Sequence, residues 1–141
     1  MKEGKVFCFH HGWHFLLADE FPMQKALEKH KDKNGHCFYE LDYIEENWER
    51  VTLPHTFNDT DLFRDRIRDA GSGQKRTAVF YRNYLTVPKE YCGQKVLIEF
   101  EGIRQTCYLY VNGKMVGYVE NGVAPFGFDL TPFIDYDKPN L

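Results

Sequence analysis

The carboxyl-terminal half of the chain alternates apolar and polar positions in the way that is typical of β-strands. Asn112-Gly113 lies between two of the alternating segments and predicts a tight hairpin turn, because both central positions of that turn need a positive φ. No helical pattern intervenes, so the sequence predicts an antiparallel sandwich or barrel. The predicted strands are 78–87, 95–101, 105–111, 114–119 and 126–130.

The amino-terminal half is less regular. Short strands are predicted for 6–9, 13–17 and 37–43. The segment Pro22–Asp32 has helical composition, with a proline early and a glycine soon after its end, and predicts one short surface helix. The polar segment 56–77 predicts a long loop of the functional or mobile kind.

Length and charge narrow the picture further. The 141 residues predict a single domain spanning 1–141. With 18 basic and 21 acidic residues the net charge is −3, which argues against a nucleic-acid partner. The lack of a long apolar run argues against a membrane partner, and the compartment stays open between the cytoplasm and the periplasm or secretion from a bacterium. An aromatic share of 16% favours sheets, and it also favours surfaces for sugars or partners.

Cysteine and histidine spacing gives no reason to expect a metal or another cofactor. The four cysteines show no zinc-ligand spacing, and four free thiols are expected over two disulfides. His10 and His14 would share one face of a strand, but about 13 Å apart, which is too far for one ion. We therefore expect no metal site and no cofactor.

Five separated pieces of the sequence resemble the N-terminal domain of glycoside hydrolase family 2, the group of β-galactosidases, β-glucuronidases and β-mannosidases. Together they cover nearly the whole chain in the order that the family shows. Phe57 and Phe80 stand where the family usually has Trp. The pieces are Gly12-Trp13-His14-Phe15, the segment 48–57 (WERVTLPHTF), Phe80-Tyr81-Arg82-Asn83, the segment 100–117 and the segment 125–131 (PFGFDLT).

The resemblance implies an all-β fold, a jelly-roll β-sandwich of the galactose-binding-domain-like type. It also implies that the two catalytic glutamates lie on a downstream (β/α)₈ barrel of about 250 residues, which this chain cannot encode. We therefore assign no catalytic residue in this chain. The chain is expected to be part of a longer retaining hydrolase, most similar to β-galactosidases. Its expected partners are that barrel and a β-galactoside or related carbohydrate, and a homo-oligomer stays open.

The same resemblance nominates residues for contact with the sugar. Glu120 and Asn121 match a loop that reaches the mouth of the active site in the family, and Asn58, Asp59 and Asp61 begin the long loop that faces the barrel. Amide and carboxylate groups suit sugar hydroxyls. The alternatives are a plain turn at Asn121-Gly122 and a solvated polar loop after residue 57.

Smaller structural roles are expected for three other residues. His55 should hold its turn by hydrogen bonding, and Arg82 could pair with Glu99 across adjacent strands. Two rival functions stay open beside the hydrolase domain. A free-standing carbohydrate-binding module predicts measurable sugar affinity of the chain alone. A structural interaction domain predicts an exposed apolar patch and self-association.

Overall fold

The computed structural model describes residues 4–18, 20, 22–55, 78–103, 106–120 and 124–141. Within these residues the chain is built mostly of strands, with one α-helix and one 3₁₀ turn at Lys89–Tyr91. The strands that pair with one another are antiparallel. The elements in chain order are β1 Trp13–Leu17, α1 Met23–Lys29, β2 Glu49–Val51, β3 Val79–Arg82, β4 Leu85–Thr86, β5 Leu97–Phe100, β6 Thr106–Val111, β7 Lys114–Glu120, β8 Phe126–Asp129 and β9 Pro139–Asn140.

The described residues fall into two compact units. One unit takes in the described parts of 1–30 and 45–82, and the other takes in those of 31–44 and 83–141. The single-domain expectation for 1–141 stays a prediction.

The first unit is built on the three-stranded sheet β2–β1–β3. Phe80 of β3 is its largest fully buried side chain, and the Trp48 ring lies 6.4 Å from the Phe80 ring. Helix α1 buries Ala26 and ends at His30, whose backbone N–H donates to the carbonyl oxygen of Ala26. The ring Nε2 of His30 lies 2.7 Å from the carbonyl oxygen of Ala18. The predicted surface helix is confirmed, and it is shorter than Pro22–Asp32 because His30 and the segment after it leave the helical path.

The second unit contains the strand pairs β4–β9, β5–β8 and β6–β7. Its core is formed by Val87, Val111, Leu130 and Ile134, against which further apolar side chains pack. Asn112 and Gly113 have φ values of 51° and 83°, so the predicted hairpin turn is confirmed. The four cysteines are free, and burial raises the pKa of the Cys107 thiol to about 11.

Two of the predicted amino-terminal strands are wrong. Residues 6–9 are described without strand structure, and 37–43 form a series of turns. The predicted strand 78–87 is divided into β3 and β4. The long segment predicted as a loop, 56–77, lies outside the described residues.

Gly127 of β8 lies against the neighbouring strand β5 with no room for a side chain. A methyl group built at this position would lie 2.8 Å from the carbonyl oxygen of Ile98, which is backbone and cannot rotate away. We expect Gly127→Ala to lower the free energy of unfolding by about 2 kcal/mol through overpacking. Urea unfolding measures this change.

Gly4→Ala is the control for this substitution, because a methyl group at Gly4 meets nothing within 4 Å. A Gly127→Ala chain as stable as the Gly4→Ala chain would contradict the close approach of β8 to β5.

Candidate functional site

Of the residues predicted to contact sugar, Glu120 is the one that the structure describes. It is the last residue of β7, its side chain is exposed, and it lies opposite Thr106 of β6. The other predicted contacts lie outside the described residues and stay predictions. They are Asn121, Asn58, Asp59 and Asp61.

The face of the β6–β7 hairpin that carries Glu120 also carries two tyrosines. Tyr108 and Tyr118 are register partners, and their ring centroids are 4.7 Å apart at an interplanar angle of 44°. Tyr118 is 46% exposed. Desolvation raises the pKa of Tyr118, and so does the charge of Glu120. Tyr118 thus lies on the same face of β7 as the residue that the sequence predicts at the rim of the sugar site.

A second aromatic pair lies on the same strand, nearer to the hairpin turn. Tyr110 of β6 stacks on Tyr39 with ring centroids 4.3 Å apart and an angle of 8°, and the Phe38 ring meets Tyr110 at a centroid distance of 5.9 Å. Desolvation raises the pKa of the Tyr110 phenol. The segment 31–44 therefore packs onto this end of the hairpin. This contact was not predicted, because the alternation in 37–43 indicated a strand.

Asp32 organises the turns of segment 31–44. Its carboxylate accepts hydrogen bonds from the backbone N–H groups of Asn34 (2.9 Å), His36 (2.8 Å) and Ile44 (2.9 Å), and from Nδ1 of His36 (3.1 Å). Desolvation alone would raise the pKa of Asp32, but these donors hold the pKa of that carboxyl well below its usual range. The carboxylate thus joins the two ends of the segment that covers Tyr110.

The stability of the chain should depend on the charge of Asp32 at acid pH. The pKa of this group is lowered on folding, so its contribution is present above the unfolded pKa of about 3.9 and is lost as the pH falls through the folded pKa. Chemical denaturation of wild type and Asp32→Asn should show wild type losing its advantage below about pH 4.

Asp42→Asn is the matched control, because Asp42 lies in the same segment with an exposed side chain. The free energy of unfolding of Asp42→Asn should fall with pH below about pH 4 as steeply as that of the wild type. Parallel stability curves for wild type and Asp32→Asn below pH 4 would contradict the role assigned to Asp32.

The first unit contains a separate polar cluster on β1 and β3. Arg82 of β3 is buried, and its guanidinium donates a 2.7 Å hydrogen bond to Oε1 of Glu45, whose other oxygen contacts Nδ1 of His14. The predicted pairing of Arg82 with Glu99 is wrong. Strand β3 lies next to β1, whereas β5, which carries Glu99, pairs with β8. This cluster links β3 to the central strand β1 through Glu45 and contains no residue predicted to bind sugar.

His55 makes the hydrogen bond that the sequence analysis expected at its turn. Its Nδ1 lies 2.9 Å from the Tyr81 hydroxyl, and its ring meets the Phe15 ring edge-on at 4.7 Å between centroids. Burial raises the pKa of the Tyr81 phenol. His55 therefore holds the end of the segment that follows β2 against the sheet.

Across the described ranges, no group of three or more His, Cys, Asp or Glu side chains could hold a metal ion. The same ranges contain no helix with the length and apolar character needed to cross a bilayer.

Comparison with known proteins shows what these features belong to. Residues 36–141 match the family described as glycosyl hydrolases family 2, sugar binding domain. The chain is 41% identical to a β-glucuronidase of Formosa agariphila over 72% of the chain and 11% of that protein. It is 38% identical to a β-galactosidase of Thermoanaerobacter pseudethanolicus over 70% of the chain and 12% of that protein.

Solved structures show the same fold. A β-glucuronidase from glycoside hydrolase family 2 superposes on 94% of the chain and 13% of its own length, with a TM-score of 0.65 and 31% identity. A Bacteroides uniformis β-glucuronidase covers 93% of the chain with 13% of its own length, a TM-score of 0.64 and 24% identity, which supports the fold alone. The predicted all-β sandwich is confirmed, and the alternative of a closed barrel is excluded.

The chain spans about a tenth of the length of the curated relatives that it matches. The relatives carry two different names, so the match defines the family and leaves the sugar undefined. The strand-rich fold, the matched range and the identity to these relatives agree with one another. The chain belongs to glycosyl hydrolase family 2, as the N-terminal sugar-binding domain of such enzymes.

Proposed function

We propose that the chain is the non-catalytic domain of a longer, retaining family 2 glycosidase. The observation that carries the proposal is the family match over 36–141, together with relatives of which this chain covers about a tenth. In such an enzyme two carboxyl groups about 5–5.5 Å apart perform the double displacement, one as nucleophile and one as acid and base. The proposal assigns both to a barrel elsewhere in the parent polypeptide, which this domain supports.

The loops of this domain would add hydrogen bonds at the rim of the sugar site. Glu120 supports this role because it is exposed at the end of β7, where a carboxylate can accept hydrogen bonds from sugar hydroxyls. Beside it the proposal includes four residues outside the described ranges, Asn121, Asn58, Asp59 and Asp61.

The proposed substrate is a β-galactoside or another neutral β-hexoside. Three of the five proposed rim residues are acidic, namely Glu120, Asp59 and Asp61. A uronic acid would bring its carboxylate toward these like charges, which is unfavourable, whereas a neutral hexose offers them hydroxyl donors. The second candidate is a β-glucuronide, which the relative at 41% identity favours by its name.

Hydrolysis by the parent polypeptide separates the two substrates. The proposal predicts a higher kcat/KM for a nitrophenyl β-galactoside than for the matching β-glucuronide. Glu120→Gln should narrow the difference between the two kcat/KM values, because it removes one like charge. Glu90→Gln, at an exposed glutamate within the 3₁₀ turn, should leave that difference unchanged. The reverse ranking would overturn the proposed sugar, and a parent that cleaves no glycoside would overturn the proposed function.

The two rival functions are separated by measurements on the chain alone. Calorimetric titration with galactosides and glucuronides should give little heat, because most of the proposed site belongs to another domain. Strong binding would favour a free-standing carbohydrate-binding module. A structural interaction domain is favoured by the exposed apolar side chains of the second unit, among them Leu97 and Met115, and predicts self-association in sedimentation experiments.

A further inference from the structure

The open aromatic pair of the β6–β7 hairpin is Tyr108 with Tyr118, which we call the tyrosine platform. The two residues face each other across the strands, with ring centroids 4.7 Å apart. The next register pair on the same face is Thr106 with Glu120. A hydroxyl and a carboxylate therefore border the platform on the side where β7 ends.

The core of the second unit does not use this platform. Leu109 and Val116, on the two strands of the hairpin, pack against the buried cluster. Successive side chains of a strand point to opposite faces, so Tyr108 points away from the face that carries Leu109. The platform thus lies on the outer face of the hairpin, where Tyr118 is 46% exposed.

The neighbouring aromatic residue on the same face, Tyr110, is covered by another part of the chain. The ring of Tyr39, which belongs to segment 31–44, stacks on Tyr110. The hydrogen bonds of the Asp32 carboxylate hold that segment in its turns. The rings of Tyr108 and Tyr118 lie side by side at a tilt of 44°, with Tyr108 half-buried and Tyr118 exposed. The chain itself covers Tyr110, whereas Tyr118 is accessible to a ligand.

Distance links the platform to the rim of the proposed sugar site. Two residues of a strand span about 7 Å, so Tyr118 lies roughly one sugar ring away from Glu120 along β7. Tyr118 and Glu120 are two residues apart on β7, so both side chains lie on one face of the strand.

We propose that the tyrosine platform is an accessory subsite that binds the second, neutral sugar residue of an extended β-glycoside. The aromatic faces would pack against the C–H face of that sugar, and Thr106 and Glu120 would take its hydroxyl groups. The inference rests on the proposed function, since it places the subsite beside the rim residue Glu120. It assigns the parent a preference for substrates longer than one sugar.

The test compares two substrates in the parent polypeptide, a galactose trisaccharide with β-linkages and methyl β-galactoside. Tyr118→Ala should lower kcat/KM for the trisaccharide by on the order of tenfold, mainly through KM, because a stacking contact is lost. The same variant should change kcat/KM for methyl β-galactoside by less than about twofold, because that substrate does not reach the platform. Tyr118→Phe keeps the ring and should keep the preference for the longer substrate.

Tyr84→Ala is the matched control, because Tyr84 is also exposed, in the connection between β3 and β4. It should leave the ratio of the two substrates unchanged. Thermal unfolding of each variant shows whether the fold is kept. If an alanine variant unfolds, the double variant Tyr108→Phe with Tyr118→Phe replaces it in the test. This double variant should keep the preference for the trisaccharide over methyl β-galactoside.

Two contrary outcomes are distinct. A parent that cleaves both substrates, with Tyr118→Ala lowering both equally or neither, would overturn the accessory subsite alone. A parent that cleaves no glycoside would overturn the proposed function, and this inference with it.

Discussion

Replacing Asn140 by alanine is expected to lower the free energy of unfolding by about 3 kcal/mol. The side chain is 3% exposed, and its amide nitrogen lies 3.0 Å, 2.8 Å and 3.0 Å from the carbonyl oxygens of Leu85, Asp135 and Lys138. Its oxygen accepts hydrogen bonds from Nδ2 of Asn112 at 2.8 Å and from the backbone N–H of Asp135 at 2.7 Å. Alanine would leave several of these buried groups without a partner, and each such group costs about 1–3 kcal/mol.

The destabilisation caused by Asn140→Ala should also reach the β6–β7 hairpin turn, which contains Asn112. Asn112 also holds the end of the chain, since its Oδ1 accepts the N–H of Leu141 at 3.0 Å and its own N–H donates to the Leu141 carbonyl at 2.9 Å. Urea unfolding of Asn140→Ala measures the loss, and hydrogen exchange should show faster opening at Asn112 and Leu141.

Asn140→Asp removes the donors and keeps the shape, so it should destabilise the chain at least as much as Asn140→Ala. Asn34→Ala, at an exposed asparagine, should stay within about 0.5 kcal/mol of wild type. If Asn140→Ala were as stable as Asn34→Ala, the hydrogen-bond network between Asn140 and Asn112 would not stabilise the fold as described.

Replacing Glu45 by alanine is the second large effect. Arg82 is 4% exposed, and its guanidinium donates a 2.7 Å hydrogen bond to a carboxylate oxygen of Glu45. Removing the carboxylate of a buried ion pair takes a compensating charge away from the guanidinium, which costs about 3 kcal/mol. The variant also removes the contact of Glu45 with His14 on the neighbouring strand. Thermal and chemical unfolding should both show the loss.

Glu46→Ala is the control for Glu45→Ala, because Glu46 is the next residue and is exposed. It should leave stability nearly unchanged. The difference between the two variants should persist at about 1 M salt, since screening weakens exposed pairs far more than buried ones. A difference that vanished in salt would show that the pair behaves as a surface contact.

The hairpin could be predicted because its signal is local. Alternation along β6 and β7 and the Asn112-Gly113 turn predict the two strands and the turn between them, and helix α1 was signalled by its composition. The register shift between Leu109 and Tyr110 has no signal in that pattern. The separated family pieces supplied the sandwich fold, which no single strand pattern could distinguish from a barrel.

Long-range polar contacts could not be predicted in this way. The turns at 37–43 depend on the carboxylate of Asp32, which reaches the N–H of Ile44 twelve residues away. Strand β9 has two residues and begins with Pro139, so it has no readable period, and its position depends on the side chain of Asn140. Arg82 was expected to pair with Glu99 because both lie in strands, and strand order was the missing information.

The candidate site was predictable only in part. Glu120 could be nominated by resemblance, and its position opposite Thr106, next to the Tyr108–Tyr118 pair, needed the register of β6 and β7. Alternation along β6 places Tyr108 and Tyr110 on one face from the sequence alone. Tyr118 lies opposite Tyr108 only because of the register shift between Leu109 and Tyr110. The alternation does not predict the contact with Tyr39, which arrives from a distant segment.

The most direct measurement is hydrolysis of a nitrophenyl β-galactoside and the matching β-glucuronide by two samples at equal concentration, the purified chain alone and its parent polypeptide. The account predicts turnover by the parent and none by the isolated chain, because the bond-breaking carboxylates are supplied by another domain. Glycoside cleavage by the isolated chain would contradict it.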